Sequence, residues 1–337
     1  MKKIEIEGLK EAILNTEKSI VITAHRGPDG DAMGSSLGLF HALRNLGKKV
    51  DVVMPTTYPN FLKWMPGDTE VVNFETDQEE ATQLLNDAGF IFCLDFNAIS
   101  RVQPMSDLLA ESKAKKVMID HHLEPEDFPD FIWSDVTACS TAQLIYEFLN
   151  ELEWTELIDT DAATCLYVGI LTDTGSFRFP STTPLTHRIV AELLDRGANN
   201  SEIYNSLFDE NRFGKLQLLG YCLSEKLVHI PKYNTSYVSL TLEELARFGF
   251  EKGDTEGIVN YALSVKDTKL AAIFIESEEI IKISLRSKGV FSVNDLSRNH
   301  FFGGGHTNAA GGKSDLNLAD TVKKFESLLE NYSSDLC

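Results

Sequence analysis

No run in this chain of 337 residues is apolar for the length of a bilayer-spanning helix. Its five cysteines, Cys93, Cys139, Cys165, Cys222 and Cys337, are odd in number, scattered and without a CxxC pair. That argues against a disulfide framework or a thiolate zinc site and for reduced cysteines that mostly fill cores. Basic residues are also short: 31 Lys and Arg stand against 51 Asp and Glu, a formal net charge of −20. Wrapping long duplex nucleic acid needs a broad basic face, so that class of partner is not expected. A small anion held at one locally positive point stays open. Neither an internal repeat nor a low-complexity tract is present. The opening "MKKIEIEGLKEAILN" has lysines but no apolar core behind them, and reads as the start of an amphipathic helix and not as a signal peptide. A soluble, cytoplasmic protein without a membrane partner is the expectation.

What is there suits real cores. The hydrophobic fraction is 43%, and the length favours two domains. "SIVITAH" is a β-rich apolar run, followed by a helix-like "DAMGSSLGLFHALRNLG" that stops at Gly47. "KKVDVVMP", "FIFCLDF" and "KKVMIDHH" are further short apolar runs of the kind buried on both faces of a parallel sheet. "STAQLIYEFLNEL" begins with a Ser140/Thr141 cap and is helical. "DAATCLYVGILTDTG" is ambiguous by period, but its length and alanines favour a helix ending near Gly175. The pattern predicts an α/β fold. Residues 1–197 form an open, mostly parallel sheet with helices on both faces, 198–230 a helical connector, and 231–337 a smaller α+β domain.

Ligand-type side chains recur at the ends of these apolar segments. His25 ends the first, with Asp29 and Asp31 on the loop behind it. Asp95 ends "FIFCLD", Asp120, His121 and His122 end "KKVMIDHH", and Asp173 ends "LYVGILTD". In an open α/β sheet the carboxyl ends of the strands converge on one crevice, so residues distant in sequence would meet. Carboxylate and imidazole together suit Mn²⁺ or a similar divalent metal. Each piece alone has a bland explanation: PDGD is a common turn, Asp95 could cap a helix, and paired histidines occur in ordinary loops. The whole set does not, because burying these carboxylates together without cations would cost several kcal/mol.

"HRGPDGDAMGSS", "LD" at Asp95, "IDHH" and "LTDTGSFRF", in that order, resemble the four motifs of the DHH phosphoesterase superfamily. "FFGGGHTNAAGG" resembles the glycine-rich signature of its partner domain, DHHA1. The motifs span Val21 to Gly312, and the length looks most like the stand-alone nanoRNase/pAp phosphatase subgroup. The resemblance implies two Mn²⁺ ions, with Mg²⁺ or Co²⁺ as substitutes. His25 and Asp29 would hold one, Asp31, His121 and Asp173 the other, and Asp95 would bridge them. His122 would face the scissile phosphate and Asp120 would orient the neighbouring histidine or support the metal shell. Two metals ~3.5–4 Å apart can activate a bridging water and clamp the phosphoryl oxygens.

The glycine-rich segment has its own chemistry. Gly303, Gly304 and Gly305 let backbone amides approach an anion, and His306 adds a donor. Arg286 in "SLRSK" resembles the family arginine before this segment, and a guanidinium matches phosphate bidentately. The family run has four glycines before the histidine, whereas this chain has Phe302 in the first place. Phe302 could narrow the pocket or offer a stacking face to a base. Arg101 and Arg178 could meet substrate phosphates or pair with nearby acids. His41, His187, His229 and His300 have no ligand company in the sequence and read as solvated or structural. The expected reaction is hydrolysis of short single-stranded oligoribonucleotides to mononucleotides, with 3′-phosphate removal from 3′-phosphoadenosine 5′-phosphate (pAp), across an interdomain cleft. The rivals are a cyclic di-AMP or linear dinucleotide phosphodiesterase, an inorganic pyrophosphatase, and a noncatalytic nucleotide sensor. The subunit count is open, and a homodimer is compatible with the sequence.

Overall fold

Residues 6–337 are described by a computed structural model, which divides into one unit ending at Glu210 and a second starting at Asn211. The division falls inside the stretch 198–230 that the sequence suggested as a connector, so that stretch is shared between the two units.

The first unit begins with α1 (Ile6–Asn15), β1 (Ile20–Ala24), α2 (Gly30–Asn45), β2 (Val50–Met54) and β3 (Val71–Asn73). It continues through α3 (Gln78–Asp87), β4 (Phe90–Leu94), α4 (Ser106–Glu111), β5 (Lys115–Asp120) and β6 (Phe131–Ser134). α5 (Thr141–Glu151), α6 (Thr160–Asp173), α7 (Pro184–Asp195) and α8 (Asn200–Tyr204) complete it. The six strands form one sheet in the order β3-β2-β1-β4-β5-β6, every pair parallel. Side chains alternate between its faces with a period of two. Ile20, Ile22 and Ala24 pack with residues of α1, α2, α5 and α6, while Val21 packs with Ala81, Leu85 and Leu109 of α3 and α4. Both faces are therefore covered, which is why the central strands read as unbroken apolar runs. The edge strands β3 and β6 are only three and four residues long and half-buried, too short to show a period in the sequence.

The strand order reverses between β1 and β4. Connections from these neighbours leave in opposite directions, which opens a crevice beyond their carboxyl ends. α2 starts there and is buried without a break from Gly30 to Phe40. Its packing on α6 is unusually close: a Cβ on Gly34 would stand 2.6 Å from the Cys165 carbonyl oxygen and 2.6 Å from the Gly169 nitrogen. Only glycine fits there.

The second unit contains α9 (Phe213–Tyr221), β7 (Val228–Ile230), β8 (Thr235–Leu240), α10 (Leu242–Arg247), α11 (Ile258–Ser264), β9 (Leu270–Glu276) and β10 (Ile281–Ser287). α12 (Val293–His300), β11 (Gly304–His306), β12 (Ala309–Ser314), α13 (Leu318–Leu329) and α14 (Ser333–Leu336) follow. Its sheet runs β11-β12-β10-β9-β8-β7, parallel only at β8–β9. One core joins Phe274, Ile283 and Leu285 to α12 and α13, and another joins Val238 and Ile273 to α10 and α11. This is an α+β unit. The glycine-rich segment "FFGGGHTNAAGG" contains the hairpin β11–β12, because its main chain extends the sheet from β10. All five cysteines are free, four of them buried. No helix among the described residues is long and apolar enough to cross a membrane.

Candidate metal centre

The strand register builds the first layer of the site. Ala24 of β1 lies beside Leu94 of β4, and Leu94 beside Ile119 of β5. One step further along each strand come His25, Asp95 and Asp120, so three functional side chains leave the sheet in one row. Asp95 does so with φ +60°, its amide still donating to the Ile119 carbonyl at 3.2 Å. A non-glycine residue held there carries roughly 1–3 kcal/mol of strain. What the strain secures is the position of the carboxylate, which accepts a 2.9 Å hydrogen bond from the Thr141 hydroxyl at the start of α5.

Three imidazoles surround that carboxylate. His25 Nε2 is 3.3 Å from Asp95 Oδ2 and 3.8 Å from Asp29 Oδ1. His121 Nε2 lies 3.4 Å from Asp173 Oδ2, 3.6 Å from Asp95 Oδ1 and 3.7 Å from Asp31 Oδ2. His122 Nδ1 is 3.7 Å from Asp95 Oδ1 and donates to Asp120 Oδ1 at 2.7 Å. His25 and His121 are both oriented from behind. The Nδ1 of His25 contacts the Arg26 carbonyl at 2.9 Å, and that of His121 the Ala138 carbonyl at 3.3 Å. A carbonyl only accepts, so each Nδ1 carries a proton and it is Nε2 that faces the carboxylates.

The aspartates are held as firmly. Asp29 caps α2, with Oδ1 accepting from the amides of Asp31 and Ala32 at 3.1 Å each. Asp31 Oδ2 and Oδ1 accept from the amides of Thr141 and Ala142, at 2.6 and 2.8 Å, at the N-terminus of α5. Asp173 ends α6, where the helix dipole disfavours a carboxylate, so its place there has no benefit for the helix itself. Asp120 directs both oxygens to His122, to the ring Nδ1 and to the main-chain amide at 3.0 Å. It orients that histidine and is less available as a ligand.

Electrostatics show how the charges in the crevice act on one another. Burial, and then the charges of Asp95 and Asp173, push the Asp31 carboxyl well above the usual range. Burial would also raise Asp95, but the hydrogen bond from His25 and the charges of His122, His25 and His121 hold it well below. Burial would lower His25, yet Asp29 and Asp95 lift it to about 10. The carboxylates thus draw positive charge onto the imidazoles. Within the first unit three sets of ligand atoms each lie within 4.8 Å of one another: His25/Asp29/Asp95, Asp31/His121/Asp173 and Asp95/Asp120/His122. Nitrogen–oxygen separations of 3.3–3.8 Å are long for hydrogen bonds. Two donors each ~2.1 Å from one ion span about 3.0–3.5 Å. An all-oxygen-and-imidazole donor set of this kind fits divalent metals of the Mn²⁺ type.

The loop behind β1 is pinned by the turn that carries Arg101, whose carbonyl accepts from the Arg26 amide at 2.7 Å. Arg178 rests over the Phe179 ring. His41, His229 and His300 bond to the Pro66 carbonyl, the Ser236 hydroxyl and the Tyr332 hydroxyl, as structural histidines do. Three contributors had no functional reading in the sequence: Thr141, the Ala138 carbonyl and Gly169. A Cβ on Gly169 would stand 2.9 Å from Asp31 Oδ1 and 2.5 Å from the Ala142 Cβ. Only the "STA" cap at Ser140 hinted at them.

In the second unit, register sets Arg286 opposite Ala309 and Ala309 opposite His306, one row across β10, β12 and β11. Arg286 Nη1 donates to the Leu285 carbonyl at 2.9 Å. The glycines answer a packing need more than the sequence implied. Gly305 has φ +152° and its amide donates to the buried Asn294 side chain at 2.9 Å, so that amide is committed inside the fold. A Cβ on Gly303 would collide with the Gly311 carbonyl.

Comparison with known proteins agrees with this architecture. The DHH family N-terminal domain matches residues 19–170 and the DHHA1 domain residues 234–332. The chain is 32% identical to the bifunctional oligoribonuclease and PAP phosphatase NrnA of Thermus thermophilus, over 97% of this chain and 93% of that protein. It is 26% identical to the cyclic-di-AMP phosphodiesterase GdpP of Bacillus subtilis, over 96% of this chain but 49% of that protein. The crystal structure of an exopolyphosphatase-related protein from Bacteroides fragilis superimposes with a TM-score of 0.94 at 41% identity, over 100% of this chain and 99% of that one.

Proposed function

The chain belongs to the DHH family, and from that premise we propose that it is a Mn²⁺-dependent phosphoesterase that hydrolyses short oligoribonucleotides to mononucleotides and removes the 3′-phosphate of pAp. The observation that carries the reading is Asp95, a buried, strained carboxylate within 3.7 Å of three imidazole nitrogens. No structural need of the sheet calls for that arrangement. Under this reading His25 and Asp29 would hold one ion and Asp31, His121 and Asp173 the other, with Asp95 as a ligand available to each. Bound there, divalent ions lower the pKa of water toward neutrality and offset charge on phosphoryl oxygens.

The chain's own groups do the rest. Asp120 keeps the His122 proton on Nδ1, which leaves Nε2 to meet the phosphate. The α5 amides fix Asp31, so little rearrangement remains when a ligand arrives. Within the second unit Arg286 and His306 stand in one row of the sheet and are cationic or donor groups suited to a substrate phosphate, and Arg101 is such a group in the first unit. A net charge of −20 disfavours a long polyanion and leaves short single-stranded substrates as the natural class.

The test is a turnover panel with Mn²⁺: linear di- to pentaribonucleotides, pAp, cyclic di-AMP, pyrophosphate and inorganic polyphosphate. Mononucleotides from the linear RNAs and AMP from pAp are expected. Faster turnover of cyclic di-AMP than of the linear dimer would replace this reading with the cyclic dinucleotide one, which the likeness to GdpP supports more distantly. Inertness toward every substrate would point to a nucleotide sensor.

A further inference from the structure

Two adjacent phenylalanines meet opposite fates at the start of the glycine-rich segment. Phe301 is 0% exposed and belongs to the core beneath β10, with the Lys324 ammonium over its ring. Phe302 is 71% exposed and pairs with no other ring among the described residues. The backbone makes the contrast sharper. Phe302 has φ +44°, in the left-handed region that bulky side chains rarely enter. Its neighbours leave it no choice: the Phe301 amide donates to the Ser297 carbonyl at 2.8 Å, and the Phe301 carbonyl accepts from Lys313. On the other side, Gly305 is tied to Asn294. The scaffold thus demands a left-handed residue at position 302, where glycine would sit without strain. Glycine follows at the next three positions. A phenylalanine there is a liability for folding, solubility and strain alike, and its ring is aimed at solvent four residues before His306.

We propose that Phe302 is a nucleobase platform, on which the base of a nucleotide stacks while the Arg286 and His306 side chains, in one row of the adjoining sheet, hold that nucleotide's phosphate. This rests on the nucleotide reading above and adds a subsite for the base. An exposed π-face accepts any base, so the platform would give affinity without strong sequence preference. Because stacking is a property of the ring and not of its bulk, leucine cannot replace it and tyrosine can.

The test compares wild type with Phe302→Gly, Phe302→Leu and Phe302→Tyr in the full chain. Two readouts are taken: the Kd of AMP and of ribose 5-phosphate by calorimetry with EDTA present, and kcat and KM for the dinucleotide pApA with Mn²⁺. For Gly and Leu, Kd for AMP and KM for pApA rise about 5- to 150-fold, the span of base–aromatic stacking. Binding of ribose 5-phosphate, which has no base, changes less than about twofold. Tyr stays within about threefold of wild type. Phe302→Gly also melts no lower than wild type, since strain is relieved. The proposal is overturned if Leu matches wild type, or if AMP and ribose 5-phosphate weaken equally. Wild-type inertness toward pApA is a separate outcome, and it would overturn the functional reading together with the subsite.

Discussion

At Asp95 the backbone and the chemistry make opposite demands. Left-handed φ favours glycine or asparagine, yet the position carries a carboxylate that three imidazoles share. Asp95→Asn keeps the backbone preference and removes the charge. It should fold with unchanged circular dichroism, lose Mn²⁺ uptake by elemental analysis, and fall at least about 100-fold in kcat. Retention of both metal and turnover would refute the ligand assignment. Asp120→Asn is expected to act differently, because an amide cannot accept from both the ring and the main-chain amide of His122. Metal content should persist while kcat drops about 10- to 100-fold, the usual effect of losing a partner that orients a working histidine. His25, Asp29, Asp31, Asp95, His121 and Asp173 stood out in the sequence as candidates because each lies at, or just behind, the end of an apolar segment. Thr141 was not, since a hydroxyl that caps a helix looks the same whether or not it reaches another carboxylate.

Elements fix these residues through contacts that leave faint sequence traces. Gly34 is one of several glycines in the chain, but α2 can approach α6 only because it and Gly169 lack side chains. Gly34→Ala should destabilise the first unit by about 1–3 kcal/mol, as forced overpacking does. All three tryptophans, Trp64, Trp133 and Trp154, lie in that unit, so a lower urea midpoint by tryptophan fluorescence is the readout. An unchanged midpoint would mean the helices separate at no cost. In the second unit, Glu244 closes a capping box with Thr241 and accepts from Tyr221 and Lys226 at 2.6 and 2.7 Å. Burial alone would raise its carboxyl, but Lys226, Tyr221 and the Thr241 amide bring it from the ordinary 4.5 to about 2. A depressed carboxyl stabilises the fold above its unfolded value and ceases to as pH falls through the folded one. Protection of α10 amides from hydrogen exchange should therefore exceed that of Glu244→Gln above pH 4.5, with the gap closing toward pH 2. A pH-independent gap would count against the assignment. Strands β3 and β6 and the β11–β12 hairpin escaped the sequence reading for a shared reason: three to six residues of mixed or glycine-rich composition show no period.

For the whole molecule, metal and stability are coupled. The crevice gathers carboxylates whose repulsion only positive charge relieves, so loading should stabilise the first unit. Mn²⁺ at 100 times its Kd adds ~2.7 kcal/mol per site and, for a unit of this size, raises Tm by roughly 5–10 °C. EDTA should reverse both the shift and the activity, and Asp95→Asn should show neither. A Tm indifferent to Mn²⁺ would contradict the centre. The acidic surface also bears on substrate choice, because a chain of net charge −20 gains little from a longer polyanion.

The sequence alone determined the succession of β1, α2, β2, β4, β5, α5 and α6, the parallel character of the first sheet, and which side chains could bind a metal, because period and donor chemistry are local properties. Only the tertiary structure decided that β1 and β4 are neighbours at the point where the strand order reverses. It also decided which amides hold Asp31, and that Phe302 faces outward while Phe301 faces in. Those outcomes depend on register and packing between segments far apart in the chain, and no window of sequence contains both partners.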